Sequence, residues 1–440
     1  MENADKTESS IIILDEIDLS SKNQKLDFNP NVDVQQRKIQ LIEITTNEKF
    51  PPQLNNNALP IGITTLEHNK LDEGTKKTEE RTKADRILHR IGINFLLVLL
   101  PFGMLSNYLN WGDTFTFVFN FLALLPLSHI MDKLADSVSE EIGQTLGSFF
   151  HVTFGNSVDL ILATITLKNG NINMVHSYLF GSIISSLLLI LGLKCLIFGI
   201  KVKDLSYPDT TAKVDASLMT LSSLTLAVFS ALMYNSNAGT ILKFSRYAAL
   251  LMPFIYSFYL RFKLKTHQYL YIKIYEQFKK HKKRQFSLQK AFLLLVVVVL
   301  SGLSGDMLVN SIEGLVNGSV MNQSFIGLIL LPIVAKVPEF HSVKECYFGR
   351  QKLPEAICEV SDTCVQISLF IAPFLVILGW IIGKPMTLAF GLVETIALFL
   401  SVYLTCIFVQ GKSNWLTGIL RLVVFTIIGM GFFYLPSTNS

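Results

Sequence analysis

The sequence predicts an all-α polytopic membrane protein, and three observations carry that prediction. The chain has 440 residues, half of them hydrophobic and only 16% charged, against about 25% charged in an ordinary soluble domain. The charges are segregated. Residues 1 to 90 and 263 to 284 hold most of them, and long apolar runs such as Ile91–Tyr108, Met174–Ile200 and Leu369–Ile382 lie elsewhere. Such runs have the length and composition of membrane-crossing helices.

The elements follow in order. Residues 1–84, rich in Asn, Lys, Glu, Asp and Thr without an amphipathic period, read as a disordered polar tail. Within it Ile11, Ile12, Ile13 and Leu14 precede Asp15 and Glu16, a short apolar-acidic patch that reads either as a docking or sorting peptide or as a sticky stretch of tail. The first residues lack the basic and apolar regions of a cleaved signal peptide, so a later span is expected to direct insertion. About eleven spans are expected from residue 91 onward, centred near 100, 122, 155, 188, 225, 253, 299, 334, 372, 396 and 424. The third and eighth carry Gly or Pro and charged residues. In lipid such irregular segments survive only where they face protein or a water-filled cavity.

Two basic stretches fix the expected orientation. Lys76, Lys77, Arg81, Lys83, Arg86 and Arg90 precede the first span, and the segment 263–289 carries eight basic residues against Glu276 alone. Six spans separate them, so both lie on one side, which the positive-inside rule makes cytosolic. The short tail Pro436–Ser440 then falls on the other side. The 263–289 linker reads either as a pure topology determinant or as a site for anionic lipid head groups. The five cysteines, Cys195, Cys346, Cys358, Cys364 and Cys406, are odd in number and form no CxxC pair, against a disulfide framework or a zinc site. The sequence holds no phosphate loop, nucleophile elbow or metalloprotease motif, so neither an enzyme nor a cofactor is expected, nor a nucleic-acid partner.

The chain also repeats itself. Gly155, Asn156, Ser157, Val158 and Asp159 in the third expected span correspond to Ala335, Lys336, Val337, Pro338 and Glu339 in the eighth, 180 residues on. Each acid is followed by a small-polar segment, Ser182, Ser185 and Ser186 in one case and Thr363 and Gln366 in the other. Two such halves of five spans after a leading helix fit an inverted-repeat transporter, whose site lies at broken helices near the midplane. A carboxylate inside a bilayer is costly and usually faces a cation, a proton or a basic partner. Hard divalent cations take carboxylate, amide and hydroxyl oxygens. The same acids could instead pair with internal basic groups in a static bundle.

The stretches INFLLVLLPFG, HVTFGNSVDLI, LFGSIISSLLLILG, QISLFIAPFLVILGWIIGKPMTLAFG and GKSNWLTGIL, spread over residues 85–435, resemble the calcium/proton exchanger (CAX) family, and most closely its fungal vacuolar members. The resemblance implies a leading helix and first repeat over 85–262, a linker over 263–289 and a second repeat over 290–440. It implies proton-driven calcium transport into a vacuole or similar acidic store by alternating access, with calcium or another cation and protons as substrates. Its Gly-Asn-x-x-Glu motif maps onto Gly155, Asn156 and Asp159, where Asp shortens the usual acid. The implied ion and proton ligands are Asp159 and Glu339, with Asn156, Ser182, Ser185 and Gln366 as oxygen ligands. Asp136, His151, His341 and Asp306 are proton-coupling candidates, although a histidine in a bundle is as readily only hydrogen-bonded.

The second half departs from that pattern. Lys336 stands where the motif has its ligand Asn, Ala335 where it has Gly, and Asp362 where it has another Gly. The linker is basic where the family's is acidic. An ammonium about 4 to 6 Å from the site would repel a divalent cation by several kcal/mol. Lys336 could pair with Glu339 or with Asp362, which would then compensate its charge. The chain could exchange cations with Lys336 turned away or uncharged, could have altered selectivity, or could have lost transport and serve as a regulatory or structural protein on an exchanger scaffold.

Overall fold

The structure, a computed structural model, describes residues 95–142, 147, 150, 154–201, 209–233, 236–269, 287–347, 353–410 and 414–434. The polar tail, the apolar-acidic patch, His151, most of the basic linker and the C-terminal tail lie outside the described residues. Every regular element among the described residues is a helix. Helix α1 (Leu99–Tyr108) is entered by a 3-10 turn, Leu96–Val98, and α2 spans Asp113–Ile142. Helix α3 is Ser157–Lys168. Helix α4 runs Ile172–Ile184, a π segment Ser185–Ile190, then Leu191–Lys201. Next come α5 (Asp209–Met233), α6 (Ala238–Arg261, extended by a π segment Phe262–Thr266) and α7 (Leu288–Asn310). Helix α8 runs from Gln323–Phe325 through a π segment Ile326–Leu330 to Leu331–Ala335, and α9 is Val337–Tyr347. Helix α10 joins Leu353–Gln366, a π segment Ile367–Ile371 and Ala372–Ile381, and α11 (Leu392–Gln410) and α12 (Trp415–Tyr434) close the order.

Each expected centre falls within one of these helices or, for the third, at the break that opens α3. Among the described residues six helices are long and apolar enough to cross a membrane, and the pair α8–α9, bent by 55°, makes a seventh if it is one span. Two further helices, Leu96–Tyr108 and Leu392–Ile407, are apolar but shorter.

The packing is its own image when the halves are exchanged. Helix α2 lies along α7 and α5 along α11, while α4 packs on α12 as α10 packs on α6. A polar seam ties α1 to the α2–α7 pair: Asn120 donates to the carbonyl of Gly103 at 3.3 Å and accepts from Ser304 at 2.9 Å. The π segments of α4 and α10 stand at corresponding places, at the ends of the two small-polar stretches. Such segments leave a carbonyl without its regular partner and concentrate at functional sites. In α4 the buried Arg421 of α12 donates to the carbonyl of Leu187 at 3.1 Å.

The two halves meet in backbone contact where α4 crosses α8. Pro332 has no N–H to offer Leu328 four residues back, so that carbonyl is exposed to a neighbour. Gly181 of α4 lies against it, and a Cβ at 181 would collide with the Leu328 carbonyl group. Small residues allow this approach between membrane helices. At the other end of α3, Gly170 adopts φ +82°, the left-handed conformation that stops a helix, and Asn171 caps α4 by accepting from the N–H of Met174 at 3.4 Å.

Candidate cation site

Both repeat acids occupy the same register. Asp159 is the third residue of α3 and Glu339 the third of α9, each in the first turn after a break. The first break is the turn Gly155–Asn156, where Asn156 has φ −108° and ψ 35°. The second is Lys336, at φ −87° and ψ 7°, followed by Pro338, which cannot donate to the ladder of α8. The open N–H groups at the start of a helix favour negative charge there, so the same local device supports both carboxylates.

The two acids converge on one ammonium. Lys336 Nζ is 3.1 Å from Asp159 Oδ2 and 3.1 Å from Glu339 Oε1. Lys336 is fully buried, and Asp159 and Glu339 nearly so. Asp159 Oδ1 accepts from Ser182 Oγ at 2.5 Å and from the Tyr178 hydroxyl at 2.9 Å, both on α4. Glu339 accepts from Ser186 Oγ at 3.0 Å and 3.2 Å. Asn156 donates its side-chain amide to Gln366 Oε1 at 2.7 Å, joining the first half to the second. Ser185, fully buried beside Ser186, has no hydrogen-bond partner for its hydroxyl among the described residues.

Other sequence-selected residues are placed as follows. Asp362 does not compensate Lys336. Its carboxylate is taken by Lys263 and by the Tyr259 hydroxyl, both on α6, and Lys263 also donates to Cys358 Sγ at 3.3 Å. Lys263 is therefore a buried ion-pair partner in the π segment of α6 and not a residue of an open linker. Glu359 is bonded to the fully buried Lys194 of α4 at 2.8 Å, with a third of its own side chain exposed. His341 packs its ring on His129 of α2 with centroids 4.7 Å apart. Asp136 is half-buried on α2. Asp306 accepts from Asn310 at 3.2 Å, and Asn310 accepts from Asn169 at 2.6 Å, so Asp306 stands by the end of α3 opposite to Asp159.

Reading the sequence missed Tyr178, Lys194, Tyr259, Lys263 and Arg421. Tyr178 had a usable signal, since it precedes Ser182 by one helical turn on the same face. The lysines had none, because their partners come from distant helices. Three buried ammonium groups thus meet four acids, and the central pair of carboxylates with Lys336 has a formal charge of one negative when both are ionised. Two carboxylates, several hydroxyls and an amide pair at helix breaks offer oxygen donors of the kind that hold a hard cation, and the Lys336 ammonium lies between the two acids.

The model of the sodium/calcium exchanger protein family matches residues 113–265 and 290–434. The chain belongs to this family. The two matched stretches are the two halves related above, one containing Asp159 and the other Lys336 and Glu339. Among curated members of the exchanger family, a vacuolar calcium ion transporter of Schizosaccharomyces pombe is 34% identical, over 78% of this chain and 85% of its own length. A Ca2+/H+ antiporter of Aphanothece halophytica is 33% identical, over 78% of this chain and 96% of its own. Among solved exchanger structures, the Ca2+/H+ antiporter protein YfkE superposes with a TM-score of 0.68 at 24% identity, covering 79% of this chain and all of the other. That superposition establishes the same all-α polytopic fold.

Proposed function

We propose that this exchanger-family protein is a proton-driven calcium antiporter of the vacuolar membrane, working by alternating access between its two halves. The observation that carries the reading is the convergence of Asp159 and Glu339, each in the first turn after a helix break of its own repeat, on a single cation position. The curated relatives, named as vacuolar calcium transporters and Ca2+/H+ antiporters, supply the identity of the ions and of the membrane. The protein moves ions and catalyses no bond chemistry. In this reading Asp159 and Glu339 hold calcium in one limb of the cycle and protons in the other. Ser182, Ser185, Asn156 and Gln366 add neutral oxygens, and His341, facing His129, lies on a route by which protons could reach Glu339. Asp136 and Asp306 stand as outer proton-coupling groups. The basic residues that follow Lys263 in the sequence have the charge that anionic lipid head groups attract.

The test is ⁴⁵Ca²⁺ uptake into sealed vesicles carrying the full chain, driven by an inside-acid proton gradient. Uptake is expected in the parent. Asp159→Asn and Glu339→Gln should each abolish it, because either change removes a charge that both ions need. A well-folded parent that moves neither calcium nor any other tested cation would overturn antiport. One observation favours that second reading, a regulatory or structural role on an exchanger scaffold: the cation position already holds the Lys336 ammonium.

A further inference from the structure

The place that the proposed function gives to the transported ion is filled by the protein's own side chain. Lys336 Nζ lies 3.1 Å from one oxygen of each acid, the geometry of a bridging cation. We infer that Lys336 is a tethered substitute for the substrate ion, and that it sets the site's specificity: a divalent cation enters between Asp159 and Glu339 only when this ammonium has swung out. The inference rests on reading the two acids as the cation site.

Three observations support it. The first is steric. A calcium ion held about 2.4 Å from carboxylate oxygens would share the space that Nζ occupies while touching both of those oxygens, so the two cations exclude one another. The second is charge. Two ionised, nearly buried carboxylates side by side are unfavourable without a counter-charge, and the ammonium lowers their formal charge from two negative to one. The ion-free site is thereby already stabilised, and calcium gains only by replacing the lysine. The third is the ligand shell. The fully buried Ser185 hydroxyl, three residues after Ser182, which bonds Asp159, has no partner among the described residues, an oxygen that the ammonium leaves unused. The position of Lys336 at the hinge between α8 and α9 puts its side chain on the least regular backbone of that span.

The proposal makes a free ion and a tethered one interchangeable, which thermal unfolding of the purified full chain in detergent can read. Millimolar calcium should raise the parent's melting temperature less than that of Lys336→Asn, because in the parent calcium gains only by displacing the ammonium. Lys336→Asn should melt lower than the parent in chelator, and calcium should raise its melting temperature by roughly 5 °C, with potassium giving less. Lys336→Arg should behave as the parent. The double variant Lys336→Asn, Glu339→Gln, whose net charge equals that of the parent site, should fold without calcium and lose the calcium response. A Lys336→Asn protein as stable as the parent in chelator and indifferent to every cation would overturn the proposal. If Lys336→Asn cannot be purified at all while the double variant can, the charge argument stands. If both fail, Lys336 is a packing residue and the proposal falls. Transport is not the readout, so a parent that carries no calcium sinks the proposed function and leaves this inference to be judged by the melting curves.

Discussion

At the scale of single residues, the site is decided by which oxygen each donor reaches. Asp159 has one oxygen for Lys336 and the other for Ser182 and Tyr178. Removing the phenol by Tyr178→Phe deletes a hydrogen bond to a charged group, worth about 1.5 to 3 kcal/mol. The expected outcome is a lower melting temperature with the fold retained. The same variant should shift the calcium concentration that half-saturates uptake more than the maximal rate, because Tyr178 bonds a carboxylate of the proposed ion site. Lys263 and Asp362 make a separate case. Lys263→Met leaves a carboxylate with its ammonium gone and should destabilise by about 3 to 5 kcal/mol. Adding Asp362→Asn should recover most of that loss, as a double-mutant cycle in thermal unfolding would register. A cycle showing no coupling would contradict the pairing of α6 with α10.

At the scale of elements, the breaks matter more than the helices. Helix α3 is short because Gly155 and Asn156 turn before it, and α8 separates from α9 because Lys336 leaves helical geometry and Pro338 offers no N–H. These breaks put both acids in a first turn, where backbone N–H groups face them. The approach of α4 to α8 depends on Gly181 beneath the Leu328 carbonyl. Gly181→Val should force these helices apart and cost about 1 to 3 kcal/mol or more. The expected result is a marked fall in monodisperse protein on size exclusion, whereas Gly302→Ala, where an added Cβ meets open space, should leave the profile unchanged.

At the scale of the whole molecule, the two halves pack as images of one another and share their polar centre. The Asn156–Gln366 bond, the Ser186–Glu339 bond and the Lys336–Asp159 pair each cross from one half to the other. The alternating access proposed above moves the halves across these contacts. Asn156→Ala removes one such bond, together with an oxygen ligand of the proposed site. In vesicles it should lower proton-driven uptake, and a second change, Gln366→Ala, should then add little, because the first has already broken the bond they share.

Much of this was legible in the amino-acid sequence alone, for physical reasons. Span positions follow from hydrophobic length, because a bilayer demands about twenty apolar residues per helix, and the helices lie where those runs predict. The repeat of Asp159 and Glu339 is visible because each acid stands alone in an apolar run, where a charge is rarely incidental. Asn156 and Gln366 could be named as candidates, but not as partners. Tertiary structure decided the pairings. In sequence Lys336 could answer Glu339 or Asp362; in the fold it meets Glu339 together with Asp159, and Asp362 meets Lys263. Lys194 and Lys263 look in sequence like a stray polar residue and the edge of a basic loop, yet both are buried ion-pair partners. A long lysine can reach any carboxylate within its arm, and hydrophobic periodicity says nothing about which one. The sequence by itself determined a helical, repeated, membrane-crossing scaffold with two midspan acids. Only the folded packing of α3, α4, α8 and α9 decided that the position between those acids is held by the chain's own ammonium.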